Sequence, residues 1–71
     1  MNSQEKMKRL IAIQKNHHKA KLTLWDGDSY VVNLHNPAEE DDEWAYDVYA
    51  DNSPLVTLFM KDILRIEEVE Q

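Results

Sequence analysis

The chain has 71 residues, no cysteine and a formal charge of −6, so it reads as one small domain (1–71) without disulfides or thiolate metal sites. Six of its eight Lys and Arg residues, and one acid, Glu5, lie in residues 1–21; thirteen acids with only Lys61 and Arg65 occupy 22–71. The two parts carry about +5 and −11, and the stretch between Lys21 and Lys61 holds no cation to meet a phosphate backbone.

At this size folding buries only about 60% of the unfolded chain's surface. Self-association or an unusually regular core must supply the remaining stability. A hydrophobic content of 42% is too high for a disordered chain. No apolar run approaches the ~18 residues of a membrane span. The N-terminal residues lack the apolar stretch of a secretion signal, so the expected location is cytoplasmic.

Asn2, with Glu5 three residues on, has the spacing of a capping box. Met7, Leu10, Ile11 and Gln14 follow at helical spacing, with Lys6, Lys8, Arg9 and Lys15 mostly on the other side. The pattern predicts a helix over about 3–15, stopped at Asn16. A strand over 10–14 is the competing reading, because Ile11 and Ile13 are β-branched.

From Lys19 the period changes to two. Ala20, Leu22 and Leu24 alternate with Lys19, Lys21, Thr23 and Trp25. Asp26-Gly27 then predicts a type I′ hairpin, which needs positive φ at both central residues. Tyr30, Val32 and Leu34 make the returning strand. Residues 36–43, with Pro37 and five consecutive acids, read as a solvated loop. Trp44, Tyr46, Val48 and Ala50 mark a third strand, and Asp51-Asn52-Ser53-Pro54 is a turn by composition. Residues 55–60 are apolar on both faces except at Thr57, which predicts the most deeply buried strand. Lys61-Asp62 reads as a short break or a single helical turn. Residues 63–69 form a fifth strand anchored by Leu64, Ile66 and Val69. The expected class is mainly β (α+β): an N-terminal helix packed on a five-stranded, strongly bent antiparallel sheet or small barrel over about 19–69. An open four-stranded sheet on the helix is the alternative.

This order of elements resembles the Sm-like or SH3-like small barrels, and among them the YolD-like proteins of Gram-positive bacteria, their phages and plasmids. The likeness covers about 19–69. It is carried by Leu22-Thr23-Leu24-Trp25-Asp26-Gly27 and by Leu58-Phe59-Met60-Lys61-Asp62-Ile63-Leu64-Arg65-Ile66-Glu67. Two family features are missing. Val31-Val32-Asn33 stand where a second-strand glycine is expected, and the basic, aromatic N-terminal signature of YolD-like proteins is absent. The resemblance implies a small barrel and an accessory role linked to DNA-damage responses.

The candidate chemistry is sparse. His17 and His18 are adjacent and point apart on a regular element, and His35 is distant, so no zinc set is expected. Asp26-Gly27-Asp28-Ser29 opens like a calcium loop, but its twelfth position is Pro37 and its glycine is misplaced. No cofactor is expected. Ser3, Thr23, Ser29, Ser53 and Thr57 sit in no nucleophile-elbow or triad context. The carboxylate pairs would need a desolvated pocket that so small a domain scarcely offers. An enzyme is not expected.

Binding remains. Acids around an aromatic anchor would attract a basic protein groove, so the expected partner surface is Trp25, Glu40, Asp41, Asp42, Trp44 and Tyr49. The expected function is a small non-enzymatic regulatory module acting through protein–protein contact and self-association. A sharper variant is an acidic nucleic-acid mimic that docks on a basic nucleic-acid-binding protein. The alternative is nucleic-acid binding through Lys8, Arg9, Lys15, Lys19 and Lys21, with Trp25, Tyr30 and Tyr49 for base stacking. An isoelectric point of about 4.8 opposes it. The plainest readings are that the acids keep a loop solvated and that the basic helix complements the acidic sheet.

Overall fold

The capping box predicted at Asn2 and Glu5 forms and starts helix α1 (Ser3–Lys15) in the computed structural model, which describes residues 1–70. Asn2 Oδ1 accepts the Glu5 N–H at 2.8 Å, and Glu5 Oε1 accepts the Asn2 N–H at 3.3 Å. These bonds satisfy donors that a helix start otherwise leaves without partners. Leu10 and Ile13 are fully buried, with Met7 and Ile11 partly covered. Burial of each large side chain stabilises the docked helix by roughly 1.5–3 kcal/mol. The helix ends in a Schellman arrangement, the His17 N–H bonding Gln14 O and the His18 N–H bonding Ile13 O. His17 takes the left-handed position (φ 59°) that glycine usually fills.

Five strands follow: β1 (Lys19–Leu24), β2 (Ser29–Glu40), β3 (Glu43–Tyr49), β4 (Val56–Phe59) and β5 (Ile63–Val69). All pairings are antiparallel, in the order β4-β3-β2-β1-β5. The helix and five-stranded sheet are as expected; the barrel alternative is not. A barrel would need β4 paired with β5, yet these are the two outer edges. A 3-10 turn (Met60–Asp62) carries the chain across from one edge to the other. It is held there by the Trp25 N–H, which donates to Asp62 O at 2.9 Å.

Residues 36–43 are not a loop. β2 runs to Glu40, and Pro37 and the acids pair along β3 down to Glu40 opposite Glu43. Only Ser29, Tyr30, Val31 and Val32 of β2 pair with β1, so beyond them β2 has β3 as its sole neighbour. A proline is tolerated where no second strand needs its N–H. A register shift at His35 marks a bulge where β2 passes from one neighbour to the other.

The positive-φ pair predicted at Asp26-Gly27 occurs elsewhere. At the first hairpin only Gly27 is left-handed (φ 89°), closing a loop in which its N–H donates to Leu24 O at 2.8 Å. At the second hairpin Asp41 (φ 53°) and Asp42 (φ 62°) are both left-handed, as a two-residue type I′ turn requires.

β4 is not the buried strand its composition implied. It lies at the edge, with Val56 49% exposed. In β5, Ile63 and Ile66 are buried and Leu64 is exposed. A bulge between the Leu24–Ile63 and Thr23–Arg65 pairs takes Leu64 out of the alternation. The core gathers Leu10 and Ile13 of α1 against Ala20, Leu22, Tyr46, Met60, Ile63 and their neighbours. Tyr46, fully buried, donates its hydroxyl to Gln14 Oε1, and Gln14 Nε2 donates to His35 O at 2.7 Å. Helix, bulge and β3 are thereby tied together.

Candidate functional site: the acidic hairpin tip beside Trp44

The β2–β3 hairpin projects its acids because a type I′ turn presents both central side chains to solvent. Glu40, Asp41 and Asp42 are exposed, and Glu43 is half-buried. Trp44, 40% exposed, follows at once and stands opposite Glu39 in the pairing. It borders two grooves. One, of about 490 Å³, lies between the helix residues Met7, Lys8 and Ile11 and the strand residues Pro37, Ala38 and Glu39. The other, of about 420 Å³, lies between the first residues of α1 and the tip, at Asp42, Glu43 and Lys61. Trp44 and Gln4 line both depressions, each of a size that side chains of a partner fit.

Lys61, absent from the residues expected at the site, pairs with the tip. Its Nζ bonds Glu43 Oε2 at 2.8 Å and lies 5.5 Å from the Phe59 ring centroid. The hydrogen bond that Lys61 donates to the Glu43 carboxylate, with the charges of Glu43, Asp62 and Asp41, raises the Lys61 pKa. Lys61 offsets one carboxylate and leaves Glu40, Asp41 and Asp42 without ion-pair partners among the described residues.

Of the six residues expected at a partner surface, Asp42 and Trp44 line one groove together, Asp41 shares the turn with Asp42, and Glu40, paired with Glu43, alternates to the other face from the Glu39–Trp44 pair. Trp25, 70% exposed, belongs to the first hairpin; its backbone bond to Asp62 sets it beside the 3-10 turn that also carries Lys61. Tyr49 is five residues along β3 from Trp44, on the order of 16 Å away. The grooves beside Trp44 were invisible in the sequence because they exist only where α1 crosses the hairpin. Their one local signal was the Met7 and Ile11 stripe.

No family model, curated protein or solved structure matches this chain. Its chemistry must therefore be read from its own side chains.

The basic residues are partly spent within the fold. Arg9 Nη1 lies 3.7 Å from Glu68 Oε1, and Lys19 Nζ bonds Asp51 Oδ2 at 2.8 Å. Lys6 Nζ donates to Met60 O at 2.9 Å. Lys8 lines the groove facing Glu39, while Lys15 and Lys21 are exposed on the helix end and on β1. Asn16 and His18 bond Glu68 at 2.9 and 2.5 Å, and with Arg9 they lower its pKa. Hydrogen bonds from Lys19 and Asn33 likewise lower that of Asp51. Among the described residues no group of three or more His, Asp or Glu side chains converges on a metal-holding geometry. No helix there is long and apolar enough to cross a membrane.

Proposed function

We propose that this chain is a non-enzymatic binding module whose acidic hairpin tip docks on a basic face of a protein partner, with Trp44 as its anchor. The observation that carries the reading is a half-exposed Trp44 bordering two grooves at the end of a hairpin whose Glu40, Asp41 and Asp42 have no ion-pair partner among the described residues. A desolvated aromatic supplies affinity, and the surrounding charge supplies approach rate and exclusion of polyanions. A partner that itself binds nucleic acid has the required basic face, so a nucleic-acid mimic is the specific form we favour. The helix-first order of elements is what supports the Sm-like and YolD-like resemblance, whose closed barrel this open sheet does not form, and on that order we assign a regulatory role in a bacterial or phage cytoplasm.

Affinity capture from a bacterial lysate tests the reading, comparing the chain with Trp44→Ala and with Asp41→Asn combined with Asp42→Asn. A basic polypeptide retained by the parent and lost with both variants supports it. Equal retention by all three chains removes the tip from the account.

Self-association is the second reading, and the two unpaired sheet edges favour it. β5 exposes Leu64, and β4 is flanked by Leu55, which is half exposed. A free edge is a template for another strand. A single monomeric species in sedimentation at hundreds of micromolar would count against it.

A further inference from the structure

At the end of β3 away from the acidic tip, the sheet forms a cleft of about 300 Å³ between the first hairpin and the β3–β4 turn. Buried Val32 and Val48, with the half-buried Leu58, line it, and Tyr30, Tyr49 and Val56 stand exposed around it. The volume is at the small end of binding cavities, roughly 300–1,000 Å³, and holds one large apolar side chain. The cleft is preformed. Asn33 Nδ2 bonds both Tyr49 O at 3.1 Å and Asp51 Oδ1 at 2.9 Å, and Lys19 holds the second Asp51 oxygen. The Ser53 N–H donates to Ala50 O at 3.1 Å and closes the turn.

The charge around the cleft is mainly negative. Along the chain the charged neighbours of the lining residues are Asp26, Asp28, Asp47 and Asp51, and Lys19 reaches the rim from β1. Asp51 is neutralised by Lys19, and Asp47 accepts from Thr57 Oγ1 at 2.6 Å. Asp26 and Asp28 have no ion-pair partner among the described residues. Asp28 sits beside the cleft, its carbonyl accepting the N–H of lining residue Leu24 at 2.9 Å.

We propose that this cleft is a second docking site, independent of the hairpin tip, which takes one large apolar side chain from a cationic segment of a partner protein. The flanking cation lies at the Asp26–Asp28 end. A second copy of the chain fits less well, because it would bring another net charge of −6 to a rim whose one adjoining lysine, Lys19, is already paired with Asp51.

The probe is a blocked pentapeptide with one leucine between two pairs of lysines, titrated into the intact, isotope-labelled chain and followed by amide chemical shifts. Val32, Val48 and Leu58 amides should shift, and replacing the leucine by serine should weaken binding by about tenfold or more. Val56→Lys and Tyr30→Lys, both at exposed positions, should weaken it comparably while leaving the rest of the spectrum folded. Asp28→Asn should weaken it by about threefold, and Asp42→Asn should not change it. Equal binding of the leucine and serine peptides, shifts centred on Asp41, Asp42 and Trp44, or no shifts at millimolar peptide would each overturn the proposal. So would lining amides that move with protein concentration alone, since a second copy would then be the occupant.

Discussion

Replacing Asp41→Asn together with Asp42→Gly should stabilise the chain while weakening the surface proposed to bind. Both aspartates hold left-handed backbone, at φ 53° and 62°. That conformation costs an ordinary L-residue roughly 1–2 kcal/mol, with aspartate and asparagine toward the low end. Asparagine at the first position relieves little, so the gain comes from glycine at the second and is about 1–1.5 kcal/mol. Glycine at the second position gives back about 0.5–1 kcal/mol of unfolded-state entropy. Removing two adjacent carboxylates adds little at physiological salt, where the screening length is about 8 Å. The net is about 0.5 kcal/mol, which in a domain of this size raises Tm by about 2–4 °C. Scanning calorimetry reads it directly. An unchanged or lower Tm would refute the claim that the tip is strained. A higher Tm with intact partner capture would refute the claim that its acids serve binding.

Three further outcomes follow from the fold. Gly27→Ala meets no atom within 4 Å, so its cost is that of φ 89° alone, about 1 kcal/mol, and the urea midpoint should fall with an unchanged m value. Tyr46→Phe removes the hydroxyl bonded to Gln14 and should cost about 1 kcal/mol by the same assay; a neutral result would mean that the helix does not depend on that bond. The Glu68 and Asp51 pKa values are lowered by folding, so in the acid range the unfolded chain binds more protons than the folded one. The stability these groups contribute is present above the ordinary carboxylate range and lost as pH falls through their folded values. Glu68→Gln should therefore flatten the decline of the urea midpoint below about pH 5, and an identical decline in the variant would contradict this.

The helix cap and the break before β5 were legible locally, whereas the turn type at Asp26-Gly27, where only Gly27 is left-handed, and the features that depend on the whole sheet were not. The helix limits were legible because Asn2 and Glu5 form a reciprocal cap, and the break at Lys61-Asp62 because the apolar runs on either side flank two polar residues. β2 was cut short because Pro37 and five acids argue against a strand by composition. Its survival depends on the absence of a second neighbour beyond Val32, which is a property of the sheet. β4 looked buried because apolar residues on both faces usually mean two covers; here Val56 lines an open cleft. Leu64 and Ile63 exchanged roles through a bulge that nothing in the local sequence announces. At the site, the acids and Trp44 were legible as a cluster adjacent in the chain. The grooves depend on α1 crossing the hairpin, and Tyr49 proved to belong to the other end of β3.

The most direct test is a fluorescence titration of the chain with single-stranded and duplex oligonucleotides at ~50 mM salt, where phosphate contacts are strongest. An exposed surface with Arg9 and Lys19 already paired and acids at both hairpins predicts no binding at micromolar protein. Salt-sensitive binding below micromolar, abolished by Lys8→Glu and Arg9→Glu, would contradict the account and put the helix, rather than the hairpin tip, at the working face.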